Sequence, residues 1–282
     1  MKIISEISEM QRYSREQRCE GKKIAVVPTM GYLHEGHLSL IDKARDAADV
    51  VIVTNFVNPT QFAPHEDLDS YPRDFDNDCR LCEERGADIV FAPAAEEMFM
   101  PGRSTWVVEE KFSKGLCSLT RPTFFRGVCT VVAKLFNITL PDYAVFGQKD
   151  AQQALIIRRM VRDLNFPLEI IVAPLIREPD GLAMSSRNRY LSEDEHRRAL
   201  AISRSLFQAE KMLQKKGIAD LGEVLSTIVD NIIEAGGKVD YVEALDSETL
   251  EEPTEDAAAV LIACAAVFGK ARLLDNIVVK ID

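Results

Sequence analysis

Short apolar runs alternate with amphipathic segments along the first two thirds of the chain. The runs, rich in Val, Ile, Ala and Phe, predict buried strands, and the segments between them repeat apolar residues at helical spacing, as Leu38, Ile41 and Ala44 do. Pro28 is expected to end the first strand. Strands that alternate with helices form right-handed crossovers and a parallel sheet. The predicted strands are 24–27, 50–56, 88–93, 142–147 and 168–174, and the predicted helices are 73–86, 127–139 and two that start near His37 and Lys149.

The pattern changes near residue 177. A polar loop leads into a charged helix that starts at Ser192, and a second helix follows. Apolar or alternating runs at 239–245, 257–267 and 271–281 then predict strands. We therefore expect residues 1–177 to form an α/β domain with a parallel sheet. Residues 178–282 are expected to form a smaller α+β lid domain that carries an antiparallel sheet.

Charge and hydropathy narrow the class of protein. The net charge of the 282 residues is −11 at pH 7, which argues against a nucleic-acid-binding surface because such surfaces cluster Lys and Arg. The longest apolar stretch, 257–268, is too short to cross a membrane, and no N-terminal signal region is evident. The composition therefore predicts a cytoplasmic protein without nucleic-acid or membrane partners.

The cysteines do not suggest a disulfide framework. Six cysteines are spread along the chain, and in a reducing compartment we expect free thiols. Cys79 and Cys82 form a C-x-x-C pair inside a charged helical segment that has no second pair. They are interpreted as ordinary helix residues, with a zinc or redox role less favoured.

A strand, a glycine-bearing turn and two histidines follow one another at residues 24–37, IAVVPTMGYLHEGH. His37 is expected at a helix start, where unpaired N–H groups and the positive end of the helix dipole favour a bound anion such as a polyphosphate. His34 lies three residues earlier and could face the same anion, while Gly31 and Gly36 let the backbone approach closely. An H-x-x-H pair also fits chance or half of a metal site. The strand, turn and helix around it favour the phosphate site.

Other candidate residues fall at the same edge of the predicted sheet. In parallel sheets, ligands bind beyond the carboxyl ends of the strands. The predicted strands bring together at that edge Met30, Asn55, Gln61, Gly147 and Lys149.

Two polar segments have both an ordinary and a functional interpretation. GQKD at 147–150 fits a plain turn with an exposed lysine, and MSSR at 184–187 fits a solvated linker. However, the two hydroxyls and the guanidinium of MSSR would also suit a clamp over a triphosphate. Gln61 and Gln153, which alone would be interpreted as surface glutamines, carry neutral groups that can bind hydroxyls and a carboxylate.

Several separate motifs resemble one family. The chain is similar to the pantoate–β-alanine ligases (pantothenate synthetases), within the larger group of HIGH-type nucleotidylyl transferases. The resemblance implies a Rossmann-like N-terminal domain, a homodimer, and ATP and Mg²⁺ in an AMP-forming condensation of pantoate with β-alanine through a pantoyl adenylate. The motifs, which span nearly the whole chain, are VVPTMGYLHEGH at 26–37, NFVNPTQF at 55–62, YPRD at 71–74, FRGVCTVVAKLFNI at 125–138, FGQKDAQQ at 146–153 and DGLAMSSRNRYLS at 180–192.

The resemblance also assigns roles to individual residues. It implies that Gln61 and Gln153 contact pantoate, that Gln61 also binds β-alanine, and that no residue is a dedicated metal ligand. Phosphoryl chemistry is catalysed mainly by positioning and by positive groups, so the expected catalytic residues are His34, His37, Lys149 and Arg187. The implied ATP-binding residues are Met30, Gly31, Tyr32, Leu33, His34, Glu35, Gly36, His37, Gly147, Gln148, Lys149, Asp150, Ile176, Met184, Ser185, Ser186 and Arg187.

Some positions depart from the family pattern. Phe124 stands where the family commonly has His, which puts a polar role of that position in doubt, and Gln148 stands where many relatives carry Glu. His65 and His196 match no site motif and are expected at the surface.

Two other functions remain as alternatives. One is a nucleotidylyltransferase of the same group, although those enzymes usually carry G-T-F-D-P before their histidines. The other is a non-enzymatic metal-binding or scaffolding module that uses His34, His37 and the cysteines.

Overall fold

The computed structural model describes residues 1–64 and 66–281, so the predicted surface position of His65 lies outside the described residues. The chain forms two compact units. The first unit comprises Met1–Gln148 and Gln153–Pro174, and the second comprises Lys149–Gln152 and the chain from Leu175 onward. The domain boundary between residues 177 and 178 stays a prediction.

A parallel sheet is the framework of the first unit. Its strands follow the order β1-β4-β3-β2-β5-β6, and each pairing of neighbours is parallel. The parallel α/β fold class is therefore confirmed. The strands are β1 (Lys2–Ile4), β2 (Ile24–Thr29), β3 (Val50–Asn55), β4 (Ile89–Phe91), β5 (Tyr143–Gly147) and β6 (Glu169–Ala173).

Helices connect these strands. Helix α2 packs through the side chains of Leu38, Ile41 and Ala44, all of which are buried, as the helical spacing predicted. The α-helices up to residue 163 are α1 (Ile7–Cys19), α2 (Glu35–Ala47), α3 (Phe75–Glu84), α4 (Ala95–Met98), α5 (Cys117–Thr120), α6 (Phe124–Thr139) and α7 (Ala151–Asp163), and short 3₁₀ turns span Pro59–Gln61, Phe112–Lys114 and Gln148–Asp150.

One strand runs further than predicted. Pro28 does not end β2, because the strand continues to Thr29 and Pro28 pairs with Thr54 of β3. On the other side of β2, the pairing with β5 covers Ala25 and Val26 only. The missing N–H of proline is tolerated because, at Pro28, β2 has lost one of its two neighbours.

The second unit contains an antiparallel sheet beside two long helices, as predicted. Its sheet has the order β7-β8-β9, and both pairings are antiparallel. Ser192 caps α8 through a reciprocal capping box with Glu195. The elements are α8 (Glu193–Lys216), α9 (Leu221–Glu234), β7 (Lys238–Asp246), β8 (Ala259–Phe268) and β9 (Ala271–Lys280), with 3₁₀ turns at Ser186–Tyr190 and Ile218–Asp220. Among the described residues, no helix has the length and apolar character that crossing a lipid bilayer requires.

Candidate active site

The turn after β2 has a backbone conformation that requires glycine at position 31. Gly31 and Tyr32 both adopt positive φ angles, 79° and 53°. A Cβ on Gly31 would lie 2.5 Å from Asn55 Oδ1, so only glycine fits here. The Gly31 N–H donates to the hydroxyl of Thr29, and that hydroxyl donates to the Thr54 carbonyl of β3. The turn is thus tied to the carboxyl ends of β2 and β3.

A buried carboxylate holds this turn from the other side. Asp78 of α3 is 1% exposed and accepts hydrogen bonds from the backbone N–H groups of Tyr32 and Leu33, at 2.8 and 2.7 Å. Its Oδ2 also accepts from Asn55 Nδ2 at 2.9 Å. Sequence reasoning missed Asp78. The available signal was its spacing of four residues from Cys82, which placed a carboxylate on the buried face of a predicted helix.

We expect Asp78→Ala to lower the free energy of unfolding by roughly 2–3 kcal/mol, because it leaves a buried and a partly buried N–H group without their acceptor. Equilibrium unfolding in urea measures the change. Asp76→Ala is the matched control, since Asp76 lies on the same helix with an exposed side chain. Equal losses in the two variants would contradict the role of Asp78 in holding the turn.

His34, a predicted site residue, is the N-cap of α2. Its Nδ1 accepts a hydrogen bond from the Gly36 N–H at 3.1 Å. In a neutral imidazole, an accepting Nδ1 leaves the proton on Nε2, so His34 can donate from Nε2. The ring of His37 lies beside it, with ring centroids 4.1 Å apart. The structure therefore brings the two predicted histidines together at a helix N-terminus.

The acidic residue between the histidines has a partner elsewhere. The carboxylate of Glu35 accepts from Arg85 Nη2 at 2.6 Å, and Arg85 Nη1 also donates to Asp42 at 2.9 Å. Both contacts are on the partly exposed flank of α2, where an ion pair contributes little to stability. The negative charge of Glu35, the second residue of the HEGH motif, is therefore paired with Arg85.

Gln61 is positioned by close backbone packing. It ends the 3₁₀ turn after β3, and a Cβ on Gly127 of α6 would lie 2.4 Å from the Thr60 carbonyl oxygen. Glycine at 127 therefore lets α6 pack directly against this turn. Asn58 Nδ2 donates to Gln61 Oε1, and Gln61 Nε2 lies 3.1 Å from Met30 Sδ. Two predicted ligand-binding residues, Met30 and Gln61, are thereby in contact.

The family departure at position 124 forms an aromatic platform. The Arg121 guanidinium lies 3.9 Å from the centre of the Phe124 ring and donates to both carboxylate oxygens of Glu66. Arg121 Nη2 also donates to the Gln61 carbonyl oxygen at 3.0 Å. Phe124 thus supports an arginine that holds the backbone of Gln61.

The remaining predicted residues of the first unit lie on or just after β5. Gly147 ends β5 and pairs with Ala173 of β6, and Gln148 follows it. Because β5 is the neighbour of β2, Gly147 lies at the carboxyl edge of the sheet, as Met30 does. Gln153 is the third residue of α7.

The other predicted residues belong to the second unit. Lys149 and Asp150 lie in a 3₁₀ turn, with Lys149 Nζ 4.0 Å from Asp150 Oδ2. Ile176 and Met184 face each other across a hairpin, since the Met184 N–H donates to the Ile176 carbonyl at 3.0 Å. The Ser185 hydroxyl then caps the turn that contains Ser186 and Arg187.

One group of side chains in the described ranges has metal-ligand spacing. The ligand atoms of Glu178, Asp180 and His196 all lie within 4.8 Å of one another. His196 Nε2 is 2.7 Å from Asp180 Oδ2, so a hydrogen bond or ion pair accounts for the arrangement. Cys82, in contrast, is buried in the core, and burial raises the pKa of its thiol to about 12. A thiol with that pKa is protonated at neutral pH and is a poor nucleophile or metal ligand.

Fold and site together define the class. A parallel sheet that presents a strand, a glycine turn and a histidine-capped helix is typical of an α/β nucleotide-binding enzyme of the HIGH type. A family model described as pantoate-beta-alanine ligase matches residues 2–278. The chain belongs to the pantoate–β-alanine ligase family.

Relatives cover the chain almost completely. The pantothenate synthetase of Thermotoga petrophila is 53% identical over 277 residues, which are 98% of this chain and 99% of that protein. That of Acetivibrio thermocellus is 49% identical over 282 residues and the full length of both. A crystal structure of the enzyme from Thermus thermophilus superposes with a TM-score of 0.92 at 40% identity, covering 98% of this chain and 99% of that one.

A further solved structure contains ligands. It is the pantoate–β-alanine ligase of Francisella tularensis, described as complexed with beta-gamma ATP and β-alanine. Its TM-score is 0.81 at 33% identity, and the match covers 98% of this chain and 97% of that one.

Proposed function

We propose that this chain joins pantoate to β-alanine in two steps that use ATP. In the first step a pantoate carboxylate oxygen attacks the α-phosphorus, the bond to the bridging oxygen breaks, and pyrophosphate leaves with its electron pair. In the second step the neutral amine of β-alanine attacks the acyl carbon, AMP leaves, and the amine loses a proton. The observation that carries the proposal is the histidine-capped start of α2 beside β2, in a chain of this family.

The α2 start suits the phosphates in charge and in geometry. Helix N-termini stabilise anions, and the Nε2–H of His34 adds a donor whose orientation is fixed by the Nδ1 hydrogen bond to Gly36. His37 is the second donor, 4.1 Å away between ring centroids. Since the Glu35 carboxylate is paired with Arg85, it does not oppose the phosphate charge directly. Met30 to Leu33 would contribute chiefly through the backbone of the turn that Asp78 holds.

Two cations and two hydroxyls are proposed as further ATP contacts. Lys149 and Arg187 would stabilise the charge that develops on the phosphates, because positive groups placed in advance at such positions are the main source of catalysis in phosphoryl transfer. Ser185 and Ser186 would bind phosphate oxygens as neutral donors. Gly147, Gln148, Asp150, Ile176 and Met184 are proposed as the nucleotide contacts that flank them.

Pantoate and β-alanine are assigned to the two glutamines. Gln61 is held by Asn58 through its Oε1 and by Arg121 through its backbone, so its amide has a fixed direction. An amide that both donates and accepts suits the hydroxyls of pantoate and the carboxylate of β-alanine. Gln153 is proposed as a second pantoate contact.

Mg²⁺ is proposed to bind with ATP. The ion prefers phosphate oxygens, water and one or two carboxylates, and it would neutralise phosphate charge. The phosphate oxygens and water would supply its ligands, and no side chain is assigned as a dedicated one. We further propose a cytoplasmic homodimer, on the strength of the family resemblance.

Pantoate-dependent exchange of labelled pyrophosphate into ATP tests the first step. We expect exchange with Mg²⁺ and pantoate, without β-alanine, because the adenylate forms before the amine reacts. The full reaction should release AMP and pantothenate. Exchange that requires the amine would contradict the adenylate mechanism. Retention of the nucleotide in a dinucleotide-like product would favour a nucleotidylyltransferase.

A further inference from the structure

Two adjacent polar residues are buried on one strand of the antiparallel sheet. Asp275 and Asn276 lie in the middle of β9, opposite Cys264 and Ala263 of β8. They are 3% and 5% exposed, and each makes a polar contact outside the sheet. Burial of a carboxylate and an amide is unfavourable unless both are hydrogen-bonded, so the partners of these two side chains determine what the pair does.

Asp275 holds the base of the hairpin that leads to Ser185 and Arg187. Arg177 donates to both of its carboxylate oxygens, at 2.6 and 3.0 Å. The same guanidinium donates to the Gly181 carbonyl oxygen at 3.1 Å and lies over the Phe207 ring. The planar, two-bond geometry fixes the direction of Arg177 as well as its charge.

Contacts along the hairpin connect Arg177 to the turn that contains Arg187. Arg177 and Ala183 form an antiparallel bridge, and the Glu178 N–H donates to the Leu182 carbonyl at 2.8 Å. Asn188 then donates to Glu178 Oε1 and to the Ala183 carbonyl, at 2.6 and 3.0 Å. The 3₁₀ turn that contains Arg187 is therefore fastened to the hairpin that Asp275 anchors.

Asn276 holds a second segment, from the middle of the sequence. Its Nδ2 donates to the backbone carbonyl of Lys149 at 2.9 Å, a contact between residues 127 positions apart. The segment Lys149–Gln152 belongs to the second unit although the chain on both sides of it belongs to the first. Burial raises the pKa of the Asp275 carboxyl. The charges of Arg177 and, to a smaller extent, Lys149 act in the opposite direction.

We propose that Asp275 and Asn276 are positioning residues that set Lys149 and Arg187 in one rigid frame for the ATP phosphates. The proposal rests on the phosphate-binding role given to these two cations under the proposed function. Asp275 fixes the hairpin before Arg187, and Asn276 fixes the backbone of Lys149. Neighbouring residues of a strand point to opposite faces of the sheet, so the two contacts hold one segment on each face of β9, and the sheet sets their spacing.

The frame should matter for one half-reaction more than for the other. Adenylate formation involves the triphosphate, whereas the attack of β-alanine on pantoyl adenylate takes place after pyrophosphate has left. A residue that only stabilises the fold would affect both steps through the amount of folded enzyme. A residue that positions the cations proposed to bind the phosphates should affect the first step selectively.

The test compares Asn276→Ala and Asn276→Asp with wild type. We expect both variants to lower kcat/KM for ATP in pyrophosphate exchange by roughly tenfold or more, the scale of one buried hydrogen bond lost. The single-turnover reaction of supplied pantoyl adenylate with β-alanine should change less than about threefold. Asn276→Asp should be at least as damaging as Asn276→Ala, because it keeps the volume but turns an acceptor toward the Lys149 carbonyl. If loss of volume were the cause, alanine would be the worse substitution.

Asp275→Asn and Asp240→Asn form a matched pair. Asp240 also binds an arginine through a charged hydrogen bond in this sheet, at 2.6 Å from Arg272 Nη2. We expect selective loss of exchange in Asp275→Asn and none in Asp240→Asn. If wild type exchanges normally and the Asn276 variants do so too, the positioning role is wrong while the proposed function stands. If wild type shows no pantoate-dependent exchange, the proposed function fails and the positioning role fails with it.

Discussion

His37→Ala is expected to fold normally and to lose adenylate formation by about 10²–10⁴-fold, the usual range for removal of a positioned proton donor or charge-stabilising group. The ring of His37 lies beside His34 at the start of α2, where the phosphates are proposed to bind. His37 is not the cap of the helix, so its removal should leave the free energy of unfolding nearly unchanged. Pyrophosphate exchange and urea unfolding measure the two effects.

His34 offers an internal comparison, because it has a structural role as well. His34→Ala removes the acceptor for the Gly36 N–H and should lower the free energy of unfolding by about 1 kcal/mol, in addition to slowing exchange. His34→Asn restores a side-chain acceptor at the N-cap, so it should recover the stability and not the activity. Near-normal exchange in His37→Ala and His34→Asn would show that the two histidines have only a structural role in α2 and none in adenylate formation.

The strands of the first unit could be predicted because the apolar pattern that indicates a buried strand lies within a few consecutive residues. Buried β-branched runs such as 24–27 and 50–56 carry the signal, and β2 and β3 are confirmed there. β1 and α1 were missed for the same reason. β1 has three residues, and α1 buries only Met10 and Ser14 of its thirteen, so neither shows a clear apolar period.

Contacts between residues distant in sequence were not predictable. Asp78 holds the turn before His34 by hydrogen bonds that span 45 and 46 positions, and nothing near Asp78 in the sequence indicates its partners. The same is true of Asn276 and Lys149. The histidine turn was identified because a helix start, a turn and a strand are each local patterns, whereas the ligand roles of Gln61 and Gln153 were inferred from the family resemblance. The residues that hold them in place depend on the completed fold.

Position 124 shows how a family departure acquires a physical explanation. With phenylalanine there, the ring supplies a flat apolar surface under the Arg121 guanidinium, which donates to Glu66 and to the Gln61 carbonyl oxygen. A cation over an aromatic face is stabilised without any hydrogen bond from the ring. Phe124 thus supports Arg121, which donates a hydrogen bond to the Gln61 backbone.

Lys149→Ala should separate the two half-reactions most clearly. The ammonium is proposed to stabilise negative charge that grows on the phosphates as the adenylate forms, so its removal should abolish most pantoate-dependent exchange, by about 10²-fold or more. The backbone carbonyl that Asn276 binds is retained in this variant, and the fold should be unaffected. In the second step pyrophosphate has gone, and supplied pantoyl adenylate with β-alanine should still give pantothenate at a measurable rate.

Two further variants decide whether the effect belongs to the ammonium. Lys149→Arg should rescue exchange poorly, because a planar fork cannot replace a compact ammonium without moving the phosphates. Lys270→Ala removes an exposed lysine from the second unit and should leave both steps unchanged. Single-turnover kinetics of each step, with a thermal melt to check folding, makes the comparison. An equal loss of both steps in Lys149→Ala would mean that Lys149 holds the pantoyl group or the fold, and its phosphate role would have to be withdrawn.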